Sequence, residues 1–465
     1  MGLTTSKEQG VASMTEYAAA LDNRLAFTDQ LLFLGQRATG QELAMQAVWV
    51  YEHAVDFDGL RRFHQNFGHG LFGRRIERSP LPFGRHRWVS SLGPPSDMDI
   101  ESARPRAALS DWVDERAQLP IDPEWGPGWH LGVLPMSDGA TAVSLVLSHC
   151  LSDGLGALNT IVDAVKGNRR DFGFPSPRSR GRLRAVATDL GETAQGIPEV
   201  ARTLVAGAKL AFRRRHEFTR SESSRPKAIS SADGDCKVVA PAITIYVDLN
   251  DWDTRANSLG GTSYSLVAGF AAKLGEHMGR RRASDGAVTL HVPISDRTPD
   301  DTRANAASLA TIALDPTQVT TELSDARVVI KRALTDLRES PDETLQLLPL
   351  TPFIPKRAVK RGSDVVFGFD DLPVSCSNLG EVDPVVARAD GTDAEYVMLR
   401  GVDRHVTRQF LERRGGLLTV LAGRIGGKIS ITVVAYQPGT ENSKDSLRQL
   451  AAGTLAEFGL TGVIE

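Results

Sequence analysis

Ser148-His149-Cys150-Leu151-Ser152-Asp153-Gly154 decides how this chain is read. In the run ahead of it, Thr141, Val143, Leu145, Leu147 and His149 alternate onto one face of a strand. The other face carries Ala142, Ser144, Val146 and Ser148, so both faces are expected to be covered. After Asp153-Gly154 the period changes, and Leu155, Leu158, Ile161, Val162 and Val165 fall on one stripe of a helix. Asp153 stands where an N-cap would stand, and Gly167-Asn168 marks the stop. The expected local structure is strand, tight turn, helix, with His149 at the strand end.

Each residue type at this spacing has a chemical use. An imidazole titrates near neutrality, so His149 can take a proton from a hydroxyl or amine and later return it. Asp153, four positions on, is expected to pair with a cation and hold the turn rather than relay protons. Gly154 offers an N–H near a helix start, a donor suited to an oxyanion. Cys150 follows His149, and neighbouring strand residues point to opposite faces, so it is read as a buried structural thiol.

Working outward, Ala47 to Tyr51 reads as a strand, and Leu60, Phe63, Phe67 and Leu71 recur at helical spacing. Pro80 to Pro127, rich in Pro, Gly and Trp, reads as loops around short strands. Residues 181–238 read as a crossover linker between a lobe over 1–180 and a second over 239–465. The linker carries an amphipathic stretch, Val200 to Phe212, ending in Arg213-Arg214-Arg215, a face suited to anionic lipid. In the second half Ala242 to Leu249, Val288 to Ile294 and Val374 to Asn378 read as strands. Leu266 to Met278, Asp325 to Leu337 and Ser446 to Phe458 read as helices. Leu417 to Leu421 and Ile429 to Val434 read as a hairpin through Gly426-Gly427. No repeat of 20–50 residues and no heptad pattern stands out.

Composition narrows the classes. A chain of 465 residues with 41% hydrophobic and 24% charged residues has the make-up of a globular protein. Its net charge of -3 argues against nucleic acid as a partner. Three scattered cysteines, Cys150, Cys236 and Cys376, make neither a disulfide framework nor a zinc site and fit a reducing cytosol. No apolar run approaches the roughly 18–20 residues of a membrane span. The expected location is cytoplasmic, with contact at a membrane surface as a further option.

The motif resembles the active-site sequence of the condensation-type acyltransferase superfamily. That group includes chloramphenicol acetyltransferase, the plant BAHD acyltransferases, non-ribosomal peptide condensation domains, polyketide-associated acyltransferases and wax ester synthase/diacylglycerol acyltransferases. The last group is nearest in motif pattern. Four stretches add to the resemblance: Val55 to Leu60 with Arg74-Arg75, Ala256 to Thr262, Val292 to Arg297, and Ser375 to Gly380. Three features depart from the pattern. Ser148 replaces the first of two adjacent histidines, Ser263-Tyr264 replaces an Asn-Asp, and an Asp-Phe-Gly-Trp-Gly motif is absent.

The resemblance implies an α/β fold of two chloramphenicol acetyltransferase-like lobes, each a mixed sheet flanked by helices, with a tunnel between them. It implies an O-acyltransferase that moves an acyl group from acyl-CoA or an acyl-carrier protein to a hydroxyl of a lipid, glycolipid or alcohol. His149 would be the general base and no further cofactor or metal would be needed. A carrier protein acting in trans is one candidate donor. Asp153 would pair with Arg297, and Ser377 or Asn378 would support the oxyanion beside Gly154. Lys356, Arg357, Lys360 and Arg361 are candidates for contacting the donor's phosphates. Two other readings stay open: a stand-alone amide-forming condensation enzyme, and a catalytically silent module that binds acyl groups or carrier proteins.

Overall fold

The computed structural model describes residues 22–213, 236–339, 343–355 and 372–465. Its strands in chain order are Glu42–Tyr51 (β1), Arg74–Glu77 (β2), Arg87–Ser90 (β3), Asp99–Ile100 (β4), Trp129–Pro135 (β5), Thr141–Ser148 (β6) and Ala242–Asp248 (β7). Val288–Ser295 (β8), Ala307–Leu314 (β9), Val374–Glu381 (β10), Tyr396–Arg404 (β11), Leu417–Ile425 (β12), Lys428–Tyr436 (β13) and Val463–Ile464 (β14) follow. The helices are Phe27–Thr39 (α1), Phe57–Phe67 (α2), Leu109–Gln118 (α3), Gly154–Lys166 (α4) and Arg182–Arg213 (α5). Leu249–Ser258 (α6), Ser263–His277 (α7), Ser324–Glu339 (α8), Arg408–Arg413 (α9) and Lys444–Glu457 (α10) complete them.

Two mixed sheets define two lobes. The first runs β11-β1-β6-β5-β4 and the second β14-β7-β13-β12-β10-β8-β9, while β2 and β3 form a separate pair. Each large sheet has its own core. In the first lobe Trp49, Phe63, Phe67, Trp129, Leu145 and Ile161 pack between the sheet and helices α2 and α4. In the second, Ile245, Leu266, Phe270, Leu290, Val420 and Ile431 are buried together. Burying each such side chain stabilises the fold by about 1.5–3 kcal/mol relative to leaving it in water.

The sheets do not divide where the sequence divides. Strand β11, deep in the range 239–465, pairs antiparallel with β1 and completes the first sheet. It also packs on β12 and β13 of the second lobe, so it forms the seam between the two. Sequence periodicity missed this strand because Arg400 and Arg404 occupy its buried face. Arg400 is held by Gln46, Asp114 and the Val113 carbonyl, and Arg404 by Glu42 and the Gln118 carbonyl. Buried arginines of this kind persist because every charge has partners.

Other expectations are corrected in detail. The stretch read as loops between Pro80 and Pro127 contains α3, whose Trp112 and Val113 are buried. Strand β9 and helix α6 were also absent from the periodicity reading. The linker helix begins at Arg182, not near Val200, and carries Pro198 inside it. It packs on the 3-10 segment Glu343–Phe353, and this tertiary contact outweighs the weak propensity of Gly191, Gly196 and Pro198. Arg214 and Arg215 lie outside the described residues, and so do Lys356, Arg357, Lys360 and Arg361.

Candidate active site

His149 directly follows β6 and is half-buried. Its backbone is fixed from both sides. The His149 N–H donates to the Leu43 carbonyl of β1 at 3.1 Å, and the His149 carbonyl accepts from Asn305 Nδ2 at 3.4 Å. Its Nδ1 is buried and has no hydrogen-bond partner among the described residues. Leaving a buried polar atom unpaired costs roughly 1–3 kcal/mol, a cost removed when a water or a ligand meets the atom.

Asp153 is the N-cap of α4, and its carboxylate is fully engaged. Oδ1 accepts from the Gly156 N–H at 2.8 Å and Arg297 Nε at 3.1 Å. Oδ2 accepts from Arg297 Nη2 at 2.8 Å and the Ala306 N–H at 2.9 Å. The Asp153 N–H itself donates to the Ala304 carbonyl at 2.7 Å. With all four bonds directed at structural partners, this carboxylate holds the turn and has no free lone pair with which to take a proton.

Arg297 lies just beyond β8 and spends its remaining donors on the Asp301, Arg303 and Ala304 carbonyls. The loop 296–306 of the second lobe is thereby clamped onto the motif of the first. Two further residues brace the clamp. Asp29 of α1 accepts from the Ala304 N–H at 2.9 Å and from the Asn305 N–H at 2.8 Å. Burial pushes the Asp29 carboxyl up, and these donors together with the Arg74 charge oppose it. Arg74 donates to the Thr302 carbonyl and, at 2.9 Å, to the Leu151 carbonyl. Its guanidinium stacks 3.7 Å from the Trp88 ring centroid. Burial draws Arg74 down to about 9, with Asp29 pulling the other way and the Arg297 charge adding to the fall.

Gly154 opens α4, where first-turn amides have no acceptor within the helix. A Cβ there would sit 3.6 Å from Leu379 Cδ2, ordinary contact, which places the end of β10 beside the helix start. Ser377 and Asn378 belong to that strand and are both half-buried. Asn378 Oδ1 is used locally, accepting from the Gly380 N–H at 2.9 Å where Gly380 adopts φ +67. Gly156, which no motif singled out, has much tighter surroundings than Gly154. A Cβ there would meet Ser152 Oγ at 2.3 Å, Leu71 Cδ1 at 2.8 Å and Arg297 Cζ at 3.1 Å.

One charged group beside His149 went unread in the sequence. Leu43 pairs with Asp403 in the β1–β11 ladder, and the His149 N–H bonds to Leu43 on its other side. His149, Leu43 and Asp403 therefore form a row across three strands on one face, about 10 Å from end to end at ordinary strand spacing. Leu43 in the middle is exposed, so the row is reachable from solvent. Burial pushes the Asp403 carboxyl up, while the Arg414 guanidinium and then the His149 ring draw it back. Arg414 also acts on His291 of β8, whose ring is pushed down by burial first and by that charge second. A perturbed carboxylate whose charge reaches an imidazole in the same row marks this face as the candidate site.

Cys150 is fully buried and its thiol is pushed up by burial, as is Cys376, the latter to about 12. Neither has the environment of a nucleophile. Among the described residues no three His, Cys, Asp or Glu side chains gather as a metal site would require. A cavity of about 200 Å³ between the lobes is lined by Arg106, Val113, Thr244, Met398, Arg400 and Glu465 among others. Met398 and Arg400 belong to the face of β11 opposite Asp403, so this space lies on the other side of the first sheet from His149.

No protein-family model matches the chain, and no curated protein matches it. Solved structures do. The first condensation domain of the CDA synthetase superposes with a TM-score of 0.55 at 11% identity, covering 96% of this chain and 99% of that one. The wax ester synthase/diacylglycerol acyltransferase from Marinobacter aquaeolei VT8 gives 0.53 at 16% identity, covering 94% and 100%. Polyketide synthase associated protein 5 from Mycobacterium tuberculosis gives 0.50 at 14%, covering 93% and 97%. The chain has the two-lobed α/β fold of condensation domains and of wax ester synthase/diacylglycerol acyltransferase, over nearly its whole length.

Proposed function

We propose that this protein is an acyltransferase that moves an acyl group from a thioester, acyl-CoA or an acyl-carrier protein, to a hydroxyl acceptor. The observation that carries this reading is His149. Its main chain is held by Leu43 of one lobe and Asn305 of the other, its Nδ1 has no partner among the described residues, and the turn after it leads into the start of α4. The likeness of fold to a condensation domain and to a wax ester synthase/diacylglycerol acyltransferase supports the same chemistry.

In the proposed reaction the imidazole takes the proton from the acceptor O–H as the oxygen attacks the thioester carbonyl carbon. The C=O pair moves onto oxygen, and the Gly154 N–H is the first donor proposed for that oxyanion, with Ser377 next to it in line. Collapse re-forms the carbonyl, breaks the C–S bond and expels a thiolate, which takes the proton back from the imidazolium. No acyl-enzyme and no further cofactor enters. General acid–base catalysis of this kind contributes about 10²–10⁴-fold. The rest comes from holding donor and acceptor in line. Asp153 and Arg297 act by position, and Asp403 acts by its charge, which favours the imidazolium formed in the first step.

Mass spectrometry of products tests the reading. Purified protein is given acyl-CoAs of several lengths with a panel of alcohols, lipids and amines. Ester products support it, amide products move the assignment to a condensation enzyme, and no product from any pair overturns both in favour of a binding module.

A further inference from the structure

We propose that the outward face of α5 docks this protein onto an anionic lipid surface. The helix spans Arg182–Arg213, and its inner side is tied to the body. Ala185, Asp189 and Thr203 are buried. Asp189 accepts from Ser79 and from Arg180, and Glu192 is held by Arg87. Gly207 lies against Leu347. These contacts leave a fixed outer side.

That outer side carries a pattern the sequence reading overlooked. Leu183, Ala187, Leu190, Ala194, Ile197, Ala201 and Leu204 recur at alternating spacings of four and three, and all are exposed. The four large ones expose 87%, 54%, 59% and 57% of their surface, far more than single surface leucines need. With 3.6 residues per turn, the stripe stays within an arc of roughly 100° and runs for about 30 Å. Val205, 56% exposed, widens it.

Charge selects the occupant. Arg184, Arg202 and Lys209 are exposed and lie in one row, about 100° round the helix from the centre of the stripe. Among the described residues no carboxylate pairs with any of the three; Arg202 bonds only to the Pro198 carbonyl. The one exposed acid of the helix, Glu199, sits beyond that row. An apolar stripe bordered by exposed cations fits an interfacial helix, with leucines in the acyl boundary and cations at the headgroups. A second copy fits less well. Packed antiparallel, it would set the two basic rows edge to edge. A seam about 30 Å long and 10 Å wide also covers well under half of the roughly 800 Å² per partner of a stable dimer.

Co-sedimentation of the full chain with vesicles decides the matter. Phosphatidylcholine vesicles containing phosphatidylglycerol are expected to carry the protein down, pure phosphatidylcholine vesicles much less, and salt at about 0.5 M is expected to release it. Leu190→Ser with Ile197→Ser, and separately Arg184→Glu with Arg202→Glu and Lys209→Glu, are each expected to cut binding at least about tenfold. Both variants change exposed side chains only, so their melting temperatures and monomeric elution are expected to match the parent. Absence of binding to anionic vesicles, or full binding by both variants, overturns the proposal. So does a parent dimer that Leu190→Ser with Ile197→Ser converts to monomer, since the stripe would then be covered by a second copy.

Discussion

Arg297 reaches across the lobe boundary to Asp153, with Nη2 2.8 Å from Oδ2 and Nε 3.1 Å from Oδ1. Both side chains are nearly sealed from water, at 4% and 12% exposure. A two-pronged contact of this kind joins the two halves of the fold and sets the turn that carries His149.

Breaking that contact is expected to be costly. Arg297→Ala leaves a buried carboxylate without its cation, which typically destabilises by about 3–5 kcal/mol. Arg297→Lys is expected to recover little, because an ammonium cannot make the two parallel bonds. Denaturant unfolding of the two variants measures this. A stability loss below about 1 kcal/mol for Arg297→Ala would show that the pair is not holding the lobes.

Two glycines two positions apart, Gly154 and Gly156, are expected to behave differently. Gly156→Ala drives a methyl into Ser152 and Leu71 beside Arg297, an overpacking expected to cost about 1–3 kcal/mol and to lower the melting temperature. Gly154→Ala meets only Leu379 at 3.6 Å and keeps the backbone N–H, so stability is expected to stay close to that of the parent. Equal losses in the two variants would contradict the geometry.

Asp403 is expected to show itself in the rate of acyl transfer. Its negative charge stabilises the imidazolium formed in the first step. Asp403→Asn removes that charge and is expected to lower kcat by about tenfold while KM changes little. An unchanged kcat would limit Asp403 to a structural part.

Stability should fall in mild acid for a separate reason. Burial pushes His86 down to about 4, helped by the Arg78 charge, and it does the same to His130, with Arg116 and Arg404 adding to it. His86 Nδ1 accepts from the Ser79 N–H, and His130 Nδ1 faces Arg116, so both rings are needed neutral. The unfolded chain takes up these protons near pH 6.5 and the folded chain only near 4. Stability is full above about 6.5 and drains as pH falls toward 4, by up to about 3 kcal/mol per ring. Unfolding at pH 7.5 and pH 5 checks the sign, and His130→Gln should flatten the dependence.

The motif, its strand and its helix were legible because β6 and α4 obey simple periods. The Asp153–Arg297 contact spans a long stretch of chain, and only the resemblance pointed to it. Asp403 was invisible because its strand buries Arg400 and Arg404 on one face, and a buried arginine reads as a solvent-facing charge until its partners are known. Gly156 was passed over since nothing local distinguishes it; its need for glycine comes from Arg297 and Leu71. The stripe on α5 was hidden by Gly191, Gly196 and Pro198, which break a helix by propensity but not when the helix is packed on a body.

The central claim rests on one ring, and His149→Ala tests it most directly. The ring makes no side-chain hydrogen bond among the described residues, so the variant should fold and melt like the parent. Given the thioester and acceptor pair that yields product with the parent, the variant is expected to lose about two to four orders of magnitude in rate. A well-folded His149→Ala protein that still forms product at the parent rate would contradict the account.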